Sequence, residues 1–344
     1  MLIRIKEVIM KFITAICFTL FVCALSAQIE PPQTHISIML DAKFFQGDTA
    51  NDGSYDNANR FQVRKAEICF EGELTDRAEY STAIGMCTCS GNAATVDIPE
   101  AEIMYKLHRN IKLGLRKGHV LRGFTSRIEC DGLLASEKPH YSLSFGSCHP
   151  IGVVASSHHE LPHNMAIETE ISALNGGNST LDNEHEYNCG VVFQTPVPGL
   201  SAIAVYDHVN RKYYDSLFNQ YSKNGYRWAA GLEYMAHSLW ISSEYQRGKG
   251  FERDEQKMEA WYIQAGWEIG TNIKALPAIQ PYAYYENWNR DIGDDAVYQY
   301  LELGINFKTL PSSMLRIAYK SMIDKAPGSL ADPDQLLVRI QISI

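Results

Sequence analysis

Past residue 27 the chain contains no long apolar run, and nowhere does it sustain an apolar period of 3.6 residues. With a mean hydropathy of −0.21, this excludes a protein that crosses membranes on helices. It does not exclude one that crosses on strands, whose alternation averages to near-neutral hydropathy. Basic residues are in deficit. The 31 Lys and Arg face 40 Asp and Glu, a net charge of −9, so the basic surface expected for a nucleic-acid partner is missing. No C-x-x-C pair is present, which argues against a zinc site. There is no nucleophile motif, phosphate-binding loop or dinucleotide fingerprint either, so nothing marks an enzyme or calls for a cofactor.

At the N-terminus, Arg4, Lys6 and Lys11 precede FITAICFTLFVCALSA (12–27), with small residues at Ala24, Ser26 and Ala27. A basic start, a run short for a membrane helix and small residues before polar, proline-bearing sequence predict a cleaved secretory signal. Residues 1–27 are read as that signal and 28–344 as the mature chain, which keeps 28 basic against 39 acidic residues, a net −11. Cys69, Cys87, Cys89, Cys130, Cys148 and Cys189 remain in it. Six cysteines admit fifteen pairings, but their spacing is irregular and Cys87 and Cys89 would share one face of a strand. They are read as mostly free thiols packed as small residues.

The mature chain is one alternating segment after another, separated by turn residues. In 34–45, Ile36, Ile38, Leu40, Ala42 and Phe44 share a face; in 61–74, Ala66, Ile68 and Phe70 oppose Lys65, Glu67, Cys69 and Glu71. Strands follow at 78–89, 101–107, 111–119, 140–157, 164–174, 187–195, 202–209, 225–235, 238–246, 259–270, 278–288, 299–307 and 314–323. The last ten residues, Gln335 to Ile344, put Leu336, Val338, Ile340, Ile342 and Ile344 on one side. Gln335, Leu337, Arg339, Gln341 and Ser343 fall on the other, with Leu337 the single imperfection. That makes about sixteen strands. Long connections (46–60, 90–98, 120–139, 210–224) alternate with tight ones (75–77, 108–110), which is the parity of an outer-membrane barrel with loops at one end and turns at the other.

Sixteen strands closed into one barrel leave more interior than side chains can fill. The apolar face is therefore expected to meet lipid and the polar face water, with 335–344 closing the sheet against 34–45 so that neither has a free edge. Trp228, Tyr234, Trp240, Tyr245, Trp261, Tyr262, Trp288 and Tyr298 recur near strand ends, as an interfacial aromatic girdle would. Two secreted sandwiches in series are the competing architecture, but no linker or composition shift divides the chain.

FQVRKAEICFEGELTDRAEYSTAIGM (61–86), IKLGLRKGH (111–119) and IGVVASS (151–157) with ISALNGGN (171–178) resemble, in order and spacing, segments of the phosphate-selective porin O/P family of bacterial outer-membrane porins. His149 and Pro150 stand where that family commonly carries an arginine. The resemblance implies an all-β, transmembrane antiparallel barrel in the outer membrane of a Gram-negative bacterium, with a long third external loop (here 120–139) folded into the lumen. It also implies a homotrimer and a passive diffusion channel for small hydrophilic solutes or ions. Outer-membrane lipid and, through Gln335 to Ile344, the barrel-assembly machinery would be its other partners.

On that loop Arg122, Arg127, Glu129 and Asp131 are the candidate constriction, because a narrow, poorly screened region magnifies each charge. Alternation adds Lys65, Glu67, Lys106, Lys112 and Arg116 as pore-lining groups, with Lys43, Glu233, Glu244, Glu302, Arg316, Lys320 and Arg339 also facing the lumen. Their signs are mixed, which argues against a strongly selective ring. HHELPH (158–163) is read as a polar turn rather than a metal site, and the acidic loops around Asp48, Asp52, Asp56, Asp291, Asp294 and Asp295 lack EF-hand spacing. A barrel plugged by its loop, with a structural or adhesive role, is the alternative function.

Overall fold

The computed structural model describes residues 32–46, 60–87, 96–144, 149–175, 185–214, 220–249, 256–293, 297–310, 313–324 and 334–344. The signal segment, Cys89, Cys148, Asp48, Asp52, Asp56, Asp294 and Asp295 lie outside them. The chain forms one closed antiparallel barrel of sixteen strands, with almost no helix. In order they are β1 (Gln33–Gln46), β2 (Arg60–Thr75), β3 (Ala78–Cys87), β4 (Asp97–His108) and β5 (Ile111–Lys117). After two short helices, α1 (Phe124–Arg127) and α2 (His140–Ser144), come β6 (Ile151–Leu161), β7 (Met165–Asn175), β8 (His185–Gln194), β9 (Leu200–Tyr214) and β10 (Gln220–Ala236). The wall is completed by β11 (Leu239–Lys249), β12 (Lys257–Trp267, continuing as Ile269–Ile273), β13 (Leu276–Asn289), β14 (Val297–Leu310), β15 (Ser313–Asp324) and β16 (Asp334–Ser343).

Each strand pairs with the next in sequence, and β16 pairs with β1 in the register Ile340↔Leu40 and Arg339↔Asp41. Reciprocal hydrogen bonds between Ile36 and Ile344, at 2.7 and 2.8 Å, complete the seam. Among the described strands none is left with an unpaired edge. The period-2 alternation decides what faces where. Leu40, Phe44, Ile68, Leu115, Ile171, Leu303, Ile317 and Ile340 project outward and are exposed, whereas Lys43, Lys65, Glu67, Glu244, Glu302, Arg316 and Arg339 project inward and are buried. A soluble protein with a charged interior and an exposed apolar belt would be inside out; lipid as solvent for the belt removes the conflict.

Several sequence expectations change. Residues 140–144 are helix α2 rather than the start of a strand, and β6 begins at Ile151, so the third connection runs from 118 to 150. The expected loop at 210–224 is mostly strand, because β9 reaches Tyr214 and β10 starts at Gln220. Apolar alternation in β2 changes phase between Val63 and Ala66. The cause is a bulge: Leu40 pairs with Val63 but Met39 pairs with Lys65, leaving Arg64 as the extra residue and turning Lys65 and Glu67 inward.

The aromatic girdle is also only half as expected. Trp228, Tyr234, Tyr245 and Trp261 lie on outward positions, with Trp228 against Tyr245 at 5.1 Å. Trp240, Tyr262, Trp288 and Tyr298 are on inward positions, and Tyr262 is fully buried. His158 and His159 belong to β6 rather than to a turn; His163 and Asn164, both at positive φ, make the turn. Cys69 and Cys189 are free thiols.

Candidate functional site

The third connection does not stand out from the barrel. It enters the lumen at Gly118, whose N–H donates to Pro150 O at 3.1 Å and so ties the two ends of the loop together. Its described segments are fastened to the wall, for an electrostatic reason. A strand wall presents side-chain charge, whereas a loop without regular structure presents unpaired backbone N–H and C=O groups, and in a closed interior each must find the other.

The first segment docks against β7, β8 and β11. The Leu121 N–H donates to Glu170 Oε1 at 2.8 Å, Asn188 Nδ2 donates to Leu121 O at 2.9 Å, and Arg122 Nε donates to Glu186 Oε1 at 3.0 Å. Helix α1 is too short to cap itself, and the Glu244 carboxylate does it instead, accepting from the Phe124 N–H at 2.7 Å. Gly123, at φ +152, lies so close under that carboxylate that a Cβ would collide with it, which is why glycine precedes the helix.

The middle segment crosses to the opposite wall. Arg127 Nη2 bonds Glu168 Oε2 on β7 at 2.5 Å. Glu129 accepts from Lys65 Nζ on β2 at 2.7 Å, and Asp131 accepts from Ser37 Oγ on β1 at 2.7 Å. Lys65 also lies 3.1 Å from Glu67 and 3.6 Å from Asp131, so one ammonium holds three carboxylates.

The last segment rests on two arginines that face each other across β15 and β16, Arg316↔Arg339. Like charges side by side in a buried site are costly unless acceptors surround them. The loop supplies those acceptors. Arg316 donates to the carbonyls of Leu133 and Ala135, Arg339 donates to Ser136 O, and the wall adds Asn306 Oδ1 at 2.7 Å and both Asp41 oxygens at 2.6 and 2.8 Å. Arg339 is therefore not a water-facing group, as its alternation suggested, but a wholly buried anchor.

Ser136 returns a bond to Glu302, and Glu137 bridges Lys43 at 2.9 Å and Lys320 at 3.5 Å. Burial alone would raise the Glu137 carboxyl, but Lys320, Lys43 and Arg64 together hold it well below the usual carboxylate range. Beyond Glu137, His140 stacks on Tyr300 at 3.8 Å and binds Glu286. Burial against Glu244 raises the Tyr141 phenol well above its ordinary value, so it stays a donor.

Apolar side chains of the loop sit in a small core inside the lumen. Leu134, Ala135 and Tyr141 pack with Met258, Ala260, Tyr262, Tyr282, Tyr284, Ala318 and Leu337. Leu337, the one apolar residue on the polar side of the terminal strand, is there for this contact. Leu134 approaches Gly266 so closely that a Cβ would lie 2.7 Å from its Cδ1.

Two of the cavities among the described residues border the loop inside the barrel. The larger, about 490 Å³, is bounded by loop residues 118–121, Arg127 and Glu129 and by the charged walls of β4, β5 and β7. The other, about 470 Å³, lies between Asp131–Leu133 and the tight-turn ends of β10–β16.

Of the residues singled out from sequence, Arg127, Glu129, Lys112 and Arg116 border the larger cavity and Asp131 the smaller. Arg122 is buried against Glu186. Lys65 and Glu67 lie under the middle segment of the loop, and Lys106, with Lys112, is paired with Glu79. Sequence reasoning missed Glu168, Glu170, Glu186 and Glu286, which hold the loop from the wall, and Asp41, which holds the anchoring Arg339. The alternation in 164–174 does carry a signal for two of them, since Glu168 and Glu170 fall opposite Ile167 and Ile171.

No protein-family model and no curated protein matches the chain. Solved structures do. OprB of Pseudomonas putida aligns over 91% of this chain and 94% of its own, with a TM-score of 0.66 at 12% identity. The trimer form of the outer-membrane protein OmpT of Vibrio cholerae aligns over 91% and 99%, TM-score 0.61, 10% identity. The outer-membrane channel DcaP of Acinetobacter baumannii aligns over 91% and 97%, TM-score 0.60, 13% identity. At such low identity the likeness is one of architecture, and the chain has the fold of the bacterial outer-membrane channels.

Proposed function

We propose that this protein is an outer-membrane diffusion channel for small hydrophilic solutes or ions, exported on the cleaved segment 1–27, assembled as a homotrimer and without enzymatic activity. The observation that carries the reading is the larger cavity inside a barrel whose outer belt is apolar. It is lined by Arg109, Lys112, Arg116, Lys117 and Arg127 together with Glu100, Glu102, Glu129, Glu168 and Glu170. Charges of both signs facing each other across water suit the passage of polar solutes and give weak rather than strong ion preference. The resemblance to phosphate-selective porins rests on 61–86, 111–119, 151–157 and 171–178, and this balanced lining speaks for a channel less anion-selective than that name implies. Purified protein added to a planar bilayer should give stepwise conductance with a small reversal potential under a salt gradient. A protein that inserts without steps refutes the channel.

A second reading has its own support. The loop is bonded to β1, β2, β7, β8, β11 and β13–β16, around much of the bore. A loop held this way can plug the barrel. Conductance that appears only when 120–139 is deleted supports the plug and a structural or adhesive role.

A further inference from the structure

We propose that Glu100, His119 and His149 form a binding site for a divalent transition-metal ion with zinc's preferences, joining β4 to both ends of the inward loop. His119 is the second residue after β5, His149 the second before β6, and Glu100 projects from β4 toward them. Gly118 N–H bonded to Pro150 O brings the two histidines together at the root of the loop, with ring centroids 4.9 Å apart. His119 Nε2 lies 3.4 Å and His149 Nε2 3.8 Å from Glu100 Oε1, and ligand atoms of all three residues lie within 4.8 Å of one another. Tetrahedral zinc with bonds of about 2.0–2.1 Å needs ligand atoms about 3.3–3.4 Å apart. The set is thus within a small side-chain adjustment of that geometry. Two imidazoles and one carboxylate are a donor set that such an ion takes, leaving one position for water. Glu100 and His119 line the 490 Å³ cavity, so an ion in the lumen reaches the site directly.

Among the cations near the site, Lys138 opposes the ion most directly. Lys138 Nζ lies 3.3 Å from His119 Nδ1. An ammonium only donates, so this contact places the proton of a neutral His119 on Nε2, the atom that faces Glu100. Binding through Nε2 requires Lys138 to withdraw and the proton to move to Nδ1. Lys138 therefore lowers the affinity, and its removal strengthens binding, an effect with the opposite sign to ordinary loss of a structural contact.

The test is calorimetric titration of Zn²⁺ into the folded, full-length mature protein in detergent. Wild type should bind one ion per chain at micromolar concentration. His149→Ala and Glu100→Gln should each weaken binding at least tenfold, Lys138→Met should tighten it several-fold, and replacing His158, His159 and His163 together with Ala should leave it unchanged. The proposal is overturned if wild type binds no ion, if His149→Ala binds as wild type does, or if binding is lost in the 158/159/163 variant instead. Should His149→Ala fail to fold, Lys138→Met decides, because it keeps all three ligands: no gain in affinity overturns the site. The titration reads binding whether or not the barrel conducts, so its failure leaves the channel reading standing.

Discussion

Arg339 and Ile340 are adjacent, lie on opposite faces of one strand, and should fail in different ways. Arg339 donates to both carboxylate oxygens of Asp41 and to Ser136 O, and neither Arg339 (0% exposed) nor Asp41 (2% exposed) meets solvent. Replacing it with Met keeps the length of the side chain but leaves Asp41 buried without its cation and Ser136 without its donor. Breaking a buried ion pair from one side costs about 3–5 kcal/mol, and the loop loses its bond from Arg339 to Ser136 O as well. The wall should survive, because its outer face and its backbone ladder are untouched.

Arg339→Met is accordingly expected to insert normally and show larger or noisier single-channel steps, with residues 133–137 newly open to protease. Adding Asp41→Leu removes the orphaned carboxylate and should restore much of the wild-type trace. Ile340→Lys instead places an ammonium against lipid, at about 2–4 kcal/mol near the bilayer midplane, and should reduce the yield of folded barrel while any protein that inserts conducts normally. If Arg339→Met and wild type give the same conductance and the same protease pattern, the loop does not depend on the arginine pair and the anchoring argument is wrong.

Glu137 predicts how the loop responds to acid. Its carboxyl is held below the ordinary range in the folded state, so its contribution is present above the unfolded value, about 4.3, and is lost as pH falls through the lower folded one. Protease resistance at residues 133–137 should hold from pH 7 to about 4.5 and change only in stronger acid, whereas Glu137→Gln should behave at neutral pH as acidified wild type does. Gly266→Val should push Leu134 from its seat, since even a Cβ would lie 2.7 Å from it; Cys130, buried in the same loop, should then react with a thiol reagent that spares it in wild type. Arg116, on the border of the larger cavity and bonded to Glu170 at 2.6 Å, tunes the local charge balance. Arg116→Gln should move the reversal potential toward cations by a few millivolts, a small shift because carboxylates and cations already alternate there.

Much of the wall was legible from residue order alone. A strand buried on one side and wetted on the other must alternate with period 2, and the tight links at 75–77 and 108–110 require antiparallel neighbours. Where the pattern broke, the break had a structural cause: the phase change in β2 is the Arg64 bulge, and Leu337 is a seat for Leu134 and its neighbours. The pattern also misled. HYSLS (140–144) alternates as a strand would and is a helix, because it lies inside the lumen, where Glu286 accepts from the backbone N–H groups of His140 and Tyr141.

What the sequence by itself determined is therefore the barrel: strand number, neighbour order, closure of Gln335–Ile344 on β1, and which face is apolar and points outward. These follow from short-range periodicity, and sixteen such strands have one way to satisfy every backbone group. What only the tertiary structure decided is the interior. Whether an inward charge lines water or grips the loop depends on contacts such as Arg339 with Ser136 and Glu302 with Ser136, between residues far apart in the chain and brought together by curvature. The meeting of Glu100, His119 and His149 at the root of the loop has the same origin, since no spacing rule along the chain encodes a contact that exists only after the barrel has closed.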